Sequence, residues 1–562
     1  MSNMFSKTEK NFSKNFTDAQ VFEIVKLGED PDLTWEALAS KLNKKWILDH
    51  TYKVYFGIHR RFSKEVIELF HTRQKPNPHA DFTRTGMGEI VKVNNKKKKK
   101  FVITSVGAAA ELHVKGFKSL LTYCEVEGAE LVLLPMKAHM KALQDQPNHF
   151  DLYLKDYQKN FATEFILGTR IKALELQLNP QQVNPLTGLN RIRGRVEHNY
   201  DDMLDADMKI IEEMYKNENK ISLVIAHSKQ MLQTLITGND SSPRIMHTTG
   251  AITKPSYRKD QRSGLIATED HDLGALIIEV NGDEFFPRQI TINSKNGSFP
   301  SMGKRYFPDG KVKKERPAAF VMGDLHPGHE CPVALKIWHK IWKEQKPKNI
   351  FLHDWFDGTS CSHWLESNKM AKAMLPEQFT SIQNEITYAK DVLYKEVADK
   401  APKDAKLYLV PSNHPDFVER YLSAGKYMND KAENFKLAHY MMINVFEGKH
   451  YLSPFLDPDN RYTWLKREDD IIIGGIQCNV HGDKSGNGAK GSKVGIERTY
   501  GKAMSGHTHE PTIHFDLFTV GHSSLARHGY NKGASSWVVC SGNIYEDGAR
   551  ELIFVVNGKY KF

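Results

Sequence analysis

Short apolar runs alternate with amphipathic stretches of helical length over most of the chain. Between residues 101 and 315, the runs FVITSV, ELVLLPM, ISLVIAH and GALIIEV predict buried strands. From residue 316 onward, AAFVMG, KNIFLH and KLYLV are separated by an amphipathic helix, PVALKIWHKIWKEQ, and by a second helix over about 377–398. The alternation of strands and helices predicts a layered α/β fold in both parts of the chain.

A different pattern, over residues 1–71, predicts three short helices. Thr17 or Asp18 can cap the first helix, Thr34 can cap the second, and the third is TYKVYFGIHRRFSK. Two small helices followed by a basic, aromatic third one resemble a helix-turn-helix module, whose last helix enters the major groove. The residues that would contact DNA from this helix are Lys53, His59, Arg60, Arg61 and Lys64. A small helical packing or oligomerisation unit would produce the same pattern, so that alternative stays open.

Residues 72–100 are predicted to form a basic linker. The segment contains RQKPNPHADFTRTG and ends in consecutive lysines, whose mutual repulsion keeps them solvated. The lysines are Lys96, Lys97, Lys98, Lys99 and Lys100. They are interpreted either as a solvated run or as an arm that contacts DNA phosphates without choosing a sequence.

A chain of 562 residues is too long for one ordinary core, which favours several domains. After the module and the linker, we expect a central α/β domain of unknown role over 101–315 and a chemical domain over 316–562. The acidic segment Glu269–Asp272 in the central part is interpreted as a solvated turn rather than a metal site.

The charge of the chain is concentrated at its start. Residues 1–100 carry 20 Lys and Arg against 12 Asp and Glu, whereas the net charge of the whole chain is +10. Such a basic end on a nearly balanced body is typical of a segment that binds a polyanion. Five scattered cysteines without a CxxC pair and the lack of a membrane-length apolar stretch predict a soluble protein in a reducing cytoplasm.

Side chains that ligate metals occur five times at or just beyond the end of an apolar strand. The segments are GDLHPGH, LHDWFDG, PSNHPD, NVHGD and SGHTHEP. In layered α/β folds the loops at the strand ends converge, and ligands bind there. One DxH segment would carry no weight, but five ordered segments predict a metal centre.

In residue type and order, these segments resemble the motifs of the calcineurin-like metallophosphoesterase superfamily over residues 318–562. The resemblance implies an α/β (α+β sandwich) fold with four layers, α/β/β/α, in this part of the chain. Two departures lie beside the ligand positions. His353 stands where the family usually has Gly, and Ser412 and Pro415 flank the third motif.

The resemblance implies two divalent metal ions, with Mn²⁺ favoured and Fe²⁺, Zn²⁺ or Mg²⁺ as alternatives. Asp354 would bridge the two ions. Each ion would have three further ligands: Asp324, His326 and His509 for the first, and Asn413, His481 and His507 for the second. The ions would activate a shared water to attack phosphorus, and His414 would protonate the leaving oxygen. Asp357, His353 and His363 are expected to support the ligands or to position substrate.

The fold does not choose the substrate, because the superfamily cleaves many phosphoesters. Together with the basic front end, the motifs are similar to those of the SbcD-type DNA nucleases, which work with a separate ATPase. This chain has no phosphate-loop ATPase. We therefore expect a self-contained, homo-oligomeric deoxyribonuclease of the kind with which a phage degrades host DNA. The alternatives are a phosphatase or phosphodiesterase for nucleotides or another small ester, and a DNA-binding or assembly protein whose phosphoesterase domain is vestigial.

Overall fold

The computed structural model describes most of the chain from residue 99 onward. The described residues are 99–107, 110–137, 165–167, 171–174, 176–177, 222–237, 243–255, 262–281, 284–365, 368–526, 528 and 533–561. The predicted module over 1–71 and nearly all of the predicted linker lie outside these residues. The last two lysines of the run, Lys99 and Lys100, belong to the first strand, and Lys100 Nζ lies 3.3 Å from a carboxylate oxygen of Glu127. They are therefore part of a sheet rather than of a solvated linker.

The strands and helices are numbered in chain order. The strands are β1 (Lys99–Gly107), β2 (Ala129–Lys137), β3 (Phe165–Leu167), β4 (Ile171–Leu174), β5 (Leu176–Gln177), β6 (Ser222–Ile225), β7 (Leu232–Leu235), β8 (Arg244–Thr248), β9 (Gly274–Asn281), β10 (Glu284–Thr291), β11 (Phe299–Ser301), β12 (Lys304–Tyr306), β13 (Val312–Lys314), β14 (Ala319–Val321), β15 (Asn349–Leu352), β16 (Lys406–Leu409), β17 (Thr463–Trp464), β18 (Ile472–Ile473), β19 (Ile476–Gln477), β20 (Ala503–Ser505), β21 (Thr512–His514), β22 (Leu517–Thr519), β23 (Cys540–Ile544) and β24 (Arg550–Phe554). The α-helices are α1 (Val114–Glu127), α2 (Arg262–Glu269), α3 (Pro332–Gln345), α4 (Lys369–Ala373), α5 (Ile382–Val392), α6 (Asp416–Ser423), α7 (Ala432–Phe446), α8 (Ser453–Leu456) and α9 (Lys493–Tyr500).

A six-stranded sheet carries the first three predicted motifs. Its order is β17-β16-β15-β14-β23-β24, with β14 to β17 parallel and the last two strands antiparallel. Side chains alternate between the faces of a strand. In β14, Phe320 therefore packs among the helices, where Trp338 and Trp342 of α3 lie, whereas Val321 faces the other side. The sequence of each short strand thus fills two cores at once.

A ten-stranded sheet carries the last two motifs and crosses the predicted boundary near residue 316. Its order is β18-β19-β20-β22-β21-β7-β8-β6-β4-β3, so strands from both parts of the chain form one sheet. The two parts meet where β21 pairs with β7, at Ile513 and Leu232. The apolar run that leads to His481 was predicted as one strand. It is instead the hairpin of β18 and β19, because Gly474 and Gly475 both adopt left-handed backbone angles.

A five-stranded sheet of the central part, in the order β10-β9-β1-β2-β5, packs against the C-terminal part. Buried polar contacts tie the two together. Gln289 of β10 donates from Nε2 to the carbonyl of Arg550 at 2.9 Å. Within the five-stranded sheet, Arg288 of β10 pairs with the buried carboxylate of Glu279 of β9. A second carboxylate, that of Glu551, lies 4.0 Å from Arg288 Nε.

The turn over Glu269–Asp272 was interpreted as solvated, and the structure corrects this. Asp270 accepts an ion pair from the buried Lys229, with 2.9 Å between Oδ1 and Nζ. Asp272 Oδ2 accepts a hydrogen bond from the backbone N–H of Gln230 at 2.7 Å. Asp270 and Asp272 are therefore half-buried, because their carboxylates are partners of the segment that precedes β7, whereas Glu269 is exposed.

The mixed α/β class predicted from the sequence is confirmed for the described residues, whereas the four-layer order stays a prediction. All five cysteines lie in the described part and are free thiols. No described helix combines the length and the hydropathy needed to cross a bilayer.

Candidate metal centre

The predicted ligands lie in loops that directly follow strands. Asp324 and His326 follow β14, Asp354 follows β15, and Asn413 follows β16. These strands are neighbours and parallel, so their carboxyl ends share one edge of the six-stranded sheet. The remaining ligands arrive from the ten-stranded sheet, in the loops after β19 and β20. The predicted residues therefore meet because the two sheets present their strand ends to each other.

The first group of side chains is tightly packed and fully buried. His326 Nε2 lies 3.0 Å from His509 Nε2 and 3.2 Å from Asp354 Oδ2. His509 Nε2 is also 3.1 Å from Asp324 Oδ2. Two imidazole nitrogens and two carboxylates thus point at one small volume, as the predicted first metal site requires.

The second group lies on the other side of Asp354. His481 Nε2 is 3.4 Å from Asp354 Oδ1 and 3.1 Å from Asn413 Oδ1. The ring of His507 lies 5.1 Å from that of His481, and its backbone N–H donates to Asp324 Oδ2 at 2.8 Å. Since the two oxygens of Asp354 face different groups, this carboxylate has the position of a bridge between them.

The buried carboxylates and imidazoles of the cluster strongly shift one another's pKa values. Burial, together with the nearby Asp354, raises the pKa of Asp324 well above its usual value. Burial opposes ionisation of Asp354 too, but the imidazoles of His481, His414 and His326 outweigh it and hold the pKa of Asp354 well below its usual value. Burial lowers the pKa of the imidazole of His509 far enough to keep it neutral, as a metal ligand must be.

Several atoms of the cluster lack hydrogen-bond partners among the described residues. They are Asp324 Oδ1, Asp354 Oδ1, His353 Nε2 and His509 Nδ1. A buried carboxylate oxygen without a donor costs free energy unless another positive partner satisfies it. Carboxylate, imidazole and amide oxygen together suit Mn²⁺, Fe²⁺ or Zn²⁺, so this donor set fits divalent metal ions.

The backbone of the cluster adopts unfavourable angles. His326, Asp354, His507 and His509 all have positive φ, between 44° and 75°. Non-glycine residues rarely adopt this conformation, and such strain is concentrated at functional sites. The surrounding structure therefore holds the ligands in place at an energetic cost.

Asp357 and His414 lie directly beside the first group. Asp357 Oδ1 is 2.8 Å from His326 Nδ1, which aims the other nitrogen of that ring at the cluster. His414 Nδ1 lies 2.7 Å from the carbonyl oxygen of Asp357, and the side chain of His414 is 14% exposed. His414 can thus reach a bound substrate, whereas Asp357 is fully enclosed.

Glu385 of α5 supports this loop and was not predicted. Its two carboxylate oxygens accept the backbone N–H groups of Thr359 and Ser360 at 3.0 and 2.9 Å. The hydroxyl of Thr359 in turn donates to Asp357. In the sequence, Glu385 is one polar residue of an amphipathic helix, so no signal separates it from a solvated one.

The other two predicted supporting residues have different positions. His353 is fully buried, and its Nδ1 lies 3.3 Å from His481 Nδ1. With Asp324 and His481 it forms a further group of side chains that could hold a metal ion. His363 is exposed, and its ring packs edge-on against Phe417, which also contacts His414. Of these two, His363 alone lies at the surface.

Two further histidines border the cluster and were missed. The ring of His528 lies 4.7 Å from that of His326, and the ring of His522 lies 5.5 Å from that of His509. Ser524 Oγ joins them, at 2.7 Å from His528 Nε2 and 3.1 Å from His522 Nδ1. His522 follows shortly after β22, so the strand-end pattern that identified the candidate ligands could also have identified this histidine.

Of the residues predicted to bind DNA, only the last two lie in the part of the chain that the structure describes. Lys99 and Lys100 lie in β1, and the others lie outside the described residues: Lys53, His59, Arg60, Arg61, Lys64, Lys96, Lys97 and Lys98.

Comparison with known proteins finds a distant relative of this chain. No protein-family model matches the chain. The chain is similar to Protein A1 of Escherichia phage T5, with 25% identity over 498 residues that cover 83% of each protein. The similarity therefore extends over most of both proteins.

Proposed function

We propose that this protein is a metal-dependent nuclease that hydrolyses the phosphodiester bonds of DNA with two divalent ions, Mn²⁺ in the first place. One observation carries the proposal, namely the convergence of buried carboxylates and imidazoles from two sheets on one small volume. Asp324, His326 and His509 would hold one ion and Asn413, His481 and His507 the other, with Asp354 between them. When bound, such ions polarise phosphoryl oxygens and increase the acidity of an attacking water.

The protein's own residues supply the proton transfer. Since the carbonyl oxygen of Asp357 can only accept, His414 Nδ1 carries a proton and donates it in that hydrogen bond. The ring is thereby fixed. In the imidazolium form, Nε2 carries the second proton, and this is the proton that His414 would give to the leaving oxygen. Asp357 holds both His414 and His326, so it aligns the proton donor with a metal ligand.

Three observations support DNA as the substrate. The first 100 residues carry 20 Lys and Arg, and a basic segment of this kind suits a polyanion. The similarity to a phage protein supports a role in a phage, where host DNA is an abundant polymer to degrade. The resemblance of the motifs to SbcD-type nucleases points the same way.

Cleavage of supercoiled and linear plasmid with Mn²⁺, Mg²⁺ or EDTA tests the proposal. Wild type, Asp354→Ala and His414→Ala would be compared with the matched surface variants Asp391→Ala and His439→Ala, whose side chains are exposed. We expect metal-dependent loss of DNA in wild type and both surface variants, and a loss of activity of at least 100-fold in the two site variants. Intact DNA together with hydrolysis of a nitrophenyl phosphate would refute the nuclease and favour a small phosphoester. Failure to bind Mn²⁺ at all would favour the vestigial domain.

A further inference from the structure

A short lysine-bearing hairpin follows the candidate ligand His481. We call residues 482–491 the lysine hairpin. Lys484 and Lys490 face each other in an antiparallel bridge, and the backbone N–H of Ser485 donates to the carbonyl of Ala489 at 2.8 Å. A further hydrogen bond, from Gly491 N–H to the carbonyl of Asp483 at 2.9 Å, closes the base. These contacts give the segment a defined shape.

The base of the lysine hairpin packs against the second ligand group. A Cβ atom on Gly482 would lie 3.1 Å from the carbonyl oxygen of Gly506 and 3.3 Å from Cβ of His507. Gly482 also has a φ of 115°, which side chains rarely adopt. The hairpin therefore starts in direct contact with the loop that carries His507.

On its other side, the lysine hairpin is tied to the loop of His414. Arg467 binds both oxygens of Asp483, at 3.1 and 3.0 Å, and one oxygen of Asp416 at 3.0 Å. Asp416 comes two residues after His414, and Lys484 Nζ lies 3.7 Å from it. The hairpin thus contacts both the loop that follows the proton donor and the loop that carries His507.

The charge on the lysine hairpin is positive and points outward. Lys484 and Lys490 are exposed, and the half-buried Lys493 lies two residues beyond the hairpin. The acidic neighbours Asp416 and Asp483 already have Arg467 as a partner, so they neutralise the lysines only in part. A cationic surface beside a phosphoester site attracts further negative charge of the substrate.

We propose that the lysine hairpin binds backbone phosphates of a nucleic acid strand on one side of the phosphate that is cleaved. This inference rests on the proposed function, and it adds the direction in which the polymer leaves the metal centre. A small phosphoester ends at the metals and does not reach the hairpin, whereas a strand carries a phosphate at every nucleotide. Lys484 and Lys490 would position the strand without reading its sequence.

The test uses the full-length protein and competition at the site itself. A DNA hexanucleotide is added as a competitor in the Mn²⁺-dependent hydrolysis of bis(p-nitrophenyl) phosphate. Its inhibition constant is measured between 50 and 200 mM salt. The variant is Lys484→Gln/Lys490→Gln, and the matched control is Lys311→Gln/Lys395→Gln, two exposed lysines in surface ion pairs. Inorganic phosphate serves as a second inhibitor that needs only the metals.

We expect the hairpin variant to raise the inhibition constant of the hexanucleotide about tenfold at low salt. The slope of the logarithm of this inhibition constant against the logarithm of the salt concentration should fall by about 1.4. This decrease corresponds to two lost phosphate contacts on a single strand. Hydrolysis of the nitrophenyl ester, inhibition by inorganic phosphate and all values of the control should stay unchanged. Equal inhibition constants for the hexanucleotide in the two double variants would overturn the inference.

The outcome is separable from that of the proposed function. A hexanucleotide that inhibits through the hairpin while plasmid DNA stays intact refutes the nuclease but retains the binding site. Plasmid cleavage together with an unchanged inhibition constant in the lysine variant supports the nuclease and overturns the binding site on the hairpin. If the protein hydrolyses neither ester, fluorescence anisotropy of a labelled hexanucleotide makes the same comparison, and equal affinities again overturn the inference.

Discussion

The change Gly506→Ala should disable the candidate metal centre while altering only one small side chain. Gly506 precedes His507, and a Cβ atom built there would lie 2.2 Å from Asp324 Oδ1 and 3.0 Å from Cγ of His353. Favourable contacts between heavy atoms lie near 3.5 Å, so the carboxylate of Asp324 has to retreat by about 1 Å. The side chain of Asp324 is fully buried and has no free space to enter without moving its neighbours.

A displacement of about 1 Å at a catalytic centre costs about 100-fold in rate, or about 2.7 kcal/mol of transition-state stabilisation. We therefore expect Mn²⁺-dependent hydrolysis of bis(p-nitrophenyl) phosphate to fall about 100-fold. Mn²⁺ affinity, measured by isothermal titration calorimetry, should weaken by at least tenfold. The control is Gly425→Ala, where a Cβ atom has no neighbour within 4 Å and the strain of a left-handed φ stays in a turn after α6. If Gly506→Ala and Gly425→Ala have the same Mn²⁺ affinity and the same rate of hydrolysis, the close approach of Gly506 to Asp324 does not matter for function, and the reasoning is refuted.

Three more predictions follow from groups around the site and the core. Asp357→Asn keeps the shape of the side chain but removes the negative charge that orients the His326 ring. Mn²⁺ affinity and kcat should each fall 10- to 100-fold, and unchanged values would contradict that role. Burial, with Asp357 nearby, raises the pKa of Glu385 to about 8, so the folded state retains a proton that the unfolded state loses near pH 4.5. Thermal stability should therefore fall as pH rises from about 5 to 8, and Glu385→Gln should flatten this dependence relative to wild type; a parallel pH profile would refute it. Arg288→Met removes the guanidinium that pairs with the buried carboxylate of Glu279 and should cost about 3–5 kcal/mol in urea unfolding. Adding Glu279→Gln should restore part of this loss, and an unchanged free energy of unfolding in Arg288→Met would contradict the prediction.

The sequence was most informative where local chemistry and strand ends coincide. Ligand-type side chains after β14, β15 and β16 could be assigned because parallel neighbours end at one edge, and the structure brings those side chains together. The route to His481 was misjudged, because a hairpin with two glycines looks like one long apolar run.

Other features could not be predicted because they depend on pairing over long distances in the chain. Glu385 acts through backbone N–H groups of a loop about 25 residues away, and a carboxylate on a helix gives no sign of its partner. Lys229 likewise looks like a surface residue until Asp270 is placed beside it. The position of such charges is decided by the tertiary fold and not by local pattern.

The sheet that crosses residue 316 determines how this protein can be divided. A fragment that starts at 316 would carry every candidate ligand, but it would lose β7, the strand that pairs with β21. It would also lose Gln289, whose side chain bonds to the backbone on both sides of Glu551. The fragment would then display an open sheet edge and an apolar face, a combination that promotes aggregation. The strands before residue 316 carry no candidate ligand, but they complete the sheet and cover the apolar face of the part that does.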